Sequence, residues 1–90
     1  MRKIEEAMCA AVKARTSWAD GNTAVKNTGN GLMFVYLHGN LIATISGTVG
    51  SFTLAGWNTK VTRSRLRALG VKDFKQVKDD ECWYNFVAEL

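Results

Sequence analysis

Between residues 23 and 55 the chain is cut into short apolar pieces by glycine-bearing turns, and this cutting limits the fold more than any other feature. Branched and aromatic residues fill the pieces. Gly29-Asn30-Gly31, Gly39-Asn40 and Gly47-Thr48-Val49-Gly50 separate them. Each piece is too short for a helix with a packed face, and each connection is too short for the crossover that a parallel pair needs. The pieces must therefore pair as antiparallel strands, at 23–28, 32–38, 41–46 and 51–55. Gly39-Asn40 reads as a two-residue hairpin turn with positive φ. In that register Tyr36 faces Ala43 and Phe34 faces Ile45.

A different period flanks this region. Over residues 3–17, Ile4, Ala7, Met8, Ala11 and Val12 recur at helical spacing on one face, with Glu5, Glu6, Cys9 and Lys13 toward the other. Early acids and the late Arg15 suit the helix dipole. Trp18 is expected to pack where that helix ends, before an Asp20-Gly21-Asn22 turn. Residues 54–70 read as a strand end, a Gly56-Trp57 corner, a cap at Asn58 or Thr59, and a basic helix closed by Gly70. Trp57, a large aromatic between a glycine and a cap, is expected to be buried. Val61, Thr62, Leu66 and Leu69 share the arc that must face the sheet, and Lys60, Arg63 and Arg67 share the opposite one. Arg65 falls inside the apolar arc, so its head must reach an edge or find an acid. Residues 74–78 and 81–87 read as a hairpin turning at Asp79-Asp80. That pairing sets Lys78 opposite Glu81 and puts Val77, Cys82, Tyr84 and Phe86 on the core side.

The expected fold class is α+β, with residues 1–90 a single domain. A small antiparallel sheet carries two helices packed on one face, in the order α-β-β-β-β-α-β-β. Ninety residues suffice for one core, and an apolar fraction of 47% argues against disorder.

The net charge of +4 is modest, and its layout says more. Residues 27–59 carry no formal charge. Residues 60–78 hold Lys60, Arg63, Arg65, Arg67, Lys72, Lys75 and Lys78 against Asp73, and beyond Lys78 only acids follow. Soluble sheets ordinarily carry charge on exposed faces and edges. A charge-free sheet region is therefore expected to be covered or to meet a partner, and self-association as a twofold homodimer through a sheet edge follows. The basic arc Lys60, Arg63 and Arg67 gives a second reading, a helix laid on phosphates.

Catalytic and metal-binding patterns are missing from the chain. His38 is the single histidine, and Cys9 and Cys82 lack metal-ligand spacing, so no metal, cofactor or enzyme activity is expected. Both thiols are expected to be buried, reduced and unlinked. The basic N-terminus is followed at once by Glu5 and Glu6 and by no long apolar run, so neither a signal peptide nor a membrane span is expected.

Tyr36-Leu37-His38-Gly39-Asn40, Gly56-Trp57-Asn58-Thr59, Thr62-Arg63-Ser64-Arg65-Leu66 and Ala68-Leu69-Gly70 together resemble a family of small proteins encoded by tailed bacteriophages. The resemblance covers about the middle third of the chain. The family pattern often carries proline after the Gly-Trp-x-Thr corner, where this chain has Lys60-Val61, and that leaves the first helical turn less fixed in φ. The resemblance implies a non-structural phage protein working in the bacterial host cytoplasm by binding and blocking a host protein, such as a defence or nucleic-acid-processing enzyme. The expected contact residues are Trp57, Tyr36, His38, Lys60, Arg63 and Arg67. A nucleic-acid-binding module built on helix 59–69 is the alternative.

Overall fold

The first helix, α1 (Lys3–Ala14), opens with Glu5 accepting a hydrogen bond from the Arg2 amide at 3.3 Å, which satisfies a donor that the first turn leaves without a partner. It ends at Ala14, short of the expected boundary at residue 17. Arg15 turns left-handed (φ 56), and the Thr16 amide returns to the Ala11 carbonyl at 3.0 Å. The computed structural model describes residues 2–90. After α1 come β1 (Trp18–Asp20), β2 (Thr23–Asn27), β3 (Met33–Leu37), β4 (Asn40–Ser46), β5 (Val49–Phe52), α2 (Lys60–Leu69) and β6 (Tyr84–Val87).

The strands form one six-stranded sheet in the order β1-β2-β3-β4-β5-β6, antiparallel throughout. The fold is α+β as expected, with two differences. A short strand, β1, follows α1, and one C-terminal strand stands where a hairpin was expected. Trp18 does pack against the core, as the first residue of β1.

Two hairpins turn one residue or more away from their expected places. The turn between β3 and β4 is His38-Gly39, with φ 52 and 79, and Asn40 already pairs with Leu37. Tyr36 therefore faces Leu41 and Phe34 faces Thr44, where Ala43 and Ile45 were expected. A bulge opposite Val35 and Tyr36 inserts Ile42, so the register shifts by one within the hairpin. Between β4 and β5 the turn is Gly47-Thr48, and Val49 and Gly50 belong to the strand.

Alternation divides the sheet into two faces. Val25, Val35, Ala43 and Phe52 lie in one cross-strand row, and Met33, Ile45 and Gly50 in another, all buried. Both helices pack on this side and on one another, through Met8, Ala11, Val12, Leu66 and Leu69. The opposite face carries Phe34, Tyr36, Leu41, Thr44 and Ser51, half-buried by their neighbours and covered by no helix.

Residues 74–78 form no strand. β6 instead pairs with β5, and the Phe52 ring meets those of Phe74, Tyr84 and Phe86 at 5.9, 5.8 and 5.8 Å. The Tyr84 hydroxyl accepts from the Lys78 and Asp79 amides, while Asp73 and Asp79 accept from amides two residues on. These local bonds occupy donors that a hairpin ladder would have used. Lys78 and Glu81 make no ion pair among the described residues, and Cys82 is exposed rather than on the core side.

Candidate functional site: an apolar cleft beside Trp57

Leu54 ends the sheet region, and the next two residues both take left-handed backbone, Ala55 at φ 54 and Gly56 at φ 77. The Trp57 amide closes this turn on the Leu54 carbonyl at 2.8 Å. The acidic turn braces it from behind, since the Asp80 carbonyl accepts from the Gly56 amide at 3.0 Å and from the Thr53 hydroxyl at 3.2 Å. Two successive left-handed residues swing the next side chain outward. Trp57 is 62% exposed, so the expected buried anchor is instead a surface aromatic.

Thr59 then caps α2, accepting from the Thr62 amide at 3.2 Å. Asn58 accepts from the Arg63 guanidinium instead of capping the helix. The corner and this first turn stand across from the β3–β4 hairpin, where the bulge drives Ile42 inward. Between them lies a cleft of about 480 Å³. Leu37, His38, Asn40 and Ile42 line one wall, Leu54, Ala55 and Trp57 a second, and Thr59, Val61 and Thr62 the third.

The six expected contact residues fall in four places. Trp57 and His38 meet at this cleft, on different elements brought together by the fold. Lys60 and Arg63 lie on the same end of α2, with Arg63 half-buried against Asn58 and Lys60 exposed. Arg67 lies further along α2, its guanidinium 5.1 Å above the Phe74 ring. Tyr36 points from the other face of the sheet, edge-on to Phe34 at 6.4 Å, and does not join the others.

Beneath α2 the inward-facing arginine has its acid. Arg65 donates to Glu5 at 2.8 Å, to Thr23 at 3.0 Å and to Asn22 at 3.4 Å. Ser64 also donates to Glu5. Glu5 is buried beside Met8 and Val12, not on the outer side of α1 where it was expected. Burial pushes its carboxyl pKa up, and the bonds from Ser64, Arg65 and the Arg2 amide outweigh this and hold it below the ordinary range. The network joins α1, α2 and the β1–β2 turn, so it fixes where α2 presents the cleft. Cys9 donates to the Ala68 carbonyl at 3.3 Å, and burial, then the Glu5 charge, pushes its thiol pKa up.

Among the described residues, no cluster of His, Cys, Asp or Glu is arranged to hold a metal ion, and no helix is long and apolar enough to cross a membrane.

The model of the Kyanoviridae Gp96 protein family matches residues 1–88. The chain belongs to that family. It is thus a small bacteriophage protein, and the family spans α1, the sheet, the Trp57 corner and α2 alike. No curated protein and no solved structure matches the chain.

The sequence missed the exposed apolar residues of β5 and β6. Val49 is 71% and Val87 65% exposed, and they oppose each other across the strand pair. Trp83, just before β6, is also exposed. Val49 read as loop while its strand was placed two residues late, so no alternation assigned it a face.

Proposed function

We propose that this phage protein is a non-enzymatic accessory factor that binds a host protein and modulates it, with the Trp57 cleft as its docking site. One observation carries this reading: a tryptophan left largely in water beside an apolar cleft in a folded domain. Exposing that ring has no benefit to the isolated chain, and tryptophan is among the residues that dominate protein interfaces.

The chemistry of the rim narrows the partner. The first turn of α2 carries no acid, and Lys60 and Arg63 extend the positive end of the helix dipole. A partner offering an apolar side chain to the cleft and carboxylates toward α2 fits both. Its attraction to the basic rim would act mainly on association rate. The host cytoplasm is where such a partner is met.

The alternative, a nucleic-acid-binding module on α2, has one feature in its favour. Trp57 beside Lys60 has the composition of a base-stacking platform. Against it, Arg67 lies further along α2 over the Phe74 ring, so two of the three arc cations rather than all three stand beside Trp57.

Capture from host lysate by the parent and by Trp57→Ala, with and without nuclease, separates these readings. The expected result is a captured protein that survives nuclease and is lost in the variant, while the variant melts close to the parent, within about 0.5 kcal/mol as for a surface substitution. Capture abolished by nuclease would favour the alternative. Capture that Trp57→Ala leaves intact would place the docking site elsewhere.

A further inference from the structure

We propose that the helix-free face of the sheet docks a second copy of this chain, giving a twofold dimer in which two sheets pack face to face. The surface is distinct from the Trp57 cleft, which opens between the hairpin end and α2 on the helix side.

The first support is the distribution of charge. The chain holds 12 basic and 8 acidic residues. The register places Lys26, Phe34, Thr44, Ser51 and Asn85 in one outward row. Ala24, Tyr36 and Leu41 form a second, and Ser46, Val49 and Val87 a third. Among the described residues Lys26 is the one charged side chain in these rows. A sheet face meant for water normally alternates polar, charged residues with the buried set. Here the charge lies with the helices, the loops and the sheet's margins.

The second support is the low electrostatic cost of meeting on this face. The protein as a whole is +4, so two copies repel each other over most of their surface. The outer face is where two copies meet while desolvating almost no charge. Its polar groups are already partly satisfied, since Ser51 donates to Asn85 at 3.2 Å. A second copy brings a sheet of the same twist, which is the surface that stacks at about 10 Å in aligned packing. The edge dimer expected from sequence loses its basis, because the charge-free strands β3, β4 and β5 are interior.

Area sets the strength. Strands about 4.8 Å apart and about 3.4 Å per residue give a patch of roughly 400 Å² in projection, more with side-chain relief. Two copies bury on the order of 1,000 Å², the lower bound for a specific interface. The dimer is therefore weak and concentration-dependent.

Analytical ultracentrifugation of the full chain, from low micromolar to near-millimolar concentration, tests this. The parent is expected to pass from monomer to dimer. Val49→Lys and Thr44→Lys are each expected to raise the dimer dissociation constant about tenfold or more, with melting unchanged. Val49 is largely exposed, so its substitution leaves the monomer's packing intact. A parent that stays monomeric throughout overturns the proposal. So does a dimer that neither variant weakens, or one that Trp57→Lys abolishes and the two variants spare.

Discussion

Glu5 and Arg65 are where one residue's reading depended on another's. Arg65 fell in an apolar arc, which required an acid or a route to solvent. Glu5 was read toward solvent with Glu6, although i+3 and i+7 spacing sets it on the same side of α1 as Met8 and Val12, and all three are buried. Only the crossing of α1 and α2 brings the two to 2.8 Å, both nearly inaccessible to water. A buried pair broken on one side leaves an uncompensated charge. Glu5→Ala is expected to cost about 3–5 kcal/mol in urea unfolding, with much of the loss recovered in Glu5→Leu, Arg65→Met. A cost under about 1 kcal/mol would mean the pair behaves as a surface contact. The pH dependence has a definite sign. Glu5's native pKa lies below its unfolded value, so the unfolded chain takes up the proton first. Its stabilisation is complete above the ordinary carboxylate pKa and disappears as pH falls through the lowered native value. Glu5→Gln is expected to flatten that acid limb in thermal melts across pH. Trp57 was misread for a similar reason. Which way Trp57 points depends on the corner before it, and the left-handed Ala55 that precedes Gly56 leaves no mark in the sequence.

At the level of elements, long periodic segments were legible and short ones were not. α1, α2, β2, β3 and β4 follow from their apolar spacing to within a few residues. β1 is three residues long and offers no period to read. The C-terminal hairpin failed because alternation alone does not choose a partner. β6 prefers β5, where Gly50 leaves room for the Phe86 ring, which a Cβ at position 50 would approach to 2.5 Å. The end of α2 shows the same close fit. Gly70 has φ 127, and a Cβ there would come within 2.5 Å of the Val87 carbonyl oxygen. Gly70 was expected to cap the helix, and it also lets the chain after β6 cross the helix end, where the Glu89 amide donates to Leu69 at 2.9 Å. Gly70→Ala is expected to lower stability by roughly 1–3 kcal/mol from backbone strain alone. A thermal melt matching the parent would show that the crossing relaxes freely.

Across the whole molecule, the separation of charge from the sheet was the most informative pattern, and it was visible in the sequence. What the sequence could not supply was which sheet surface stays open, because that depends on both helices choosing the same face. The fold leaves two surfaces with little or no charge: the helix-free face, where Lys26 is the one charged side chain in the outward rows, and the cleft that gathers Trp57 and His38 from separate elements. Of the two, the cleft is the one proposed to engage a host protein. A photo-crosslinking residue placed at His38, on the cleft wall, tests it in infected cells, with one at the exposed Asn85 on the opposite face as control. The expected result is a nuclease-resistant adduct to a host polypeptide from position 38 and not from position 85. An adduct to nucleic acid from position 38, or no host adduct there at all, would contradict it.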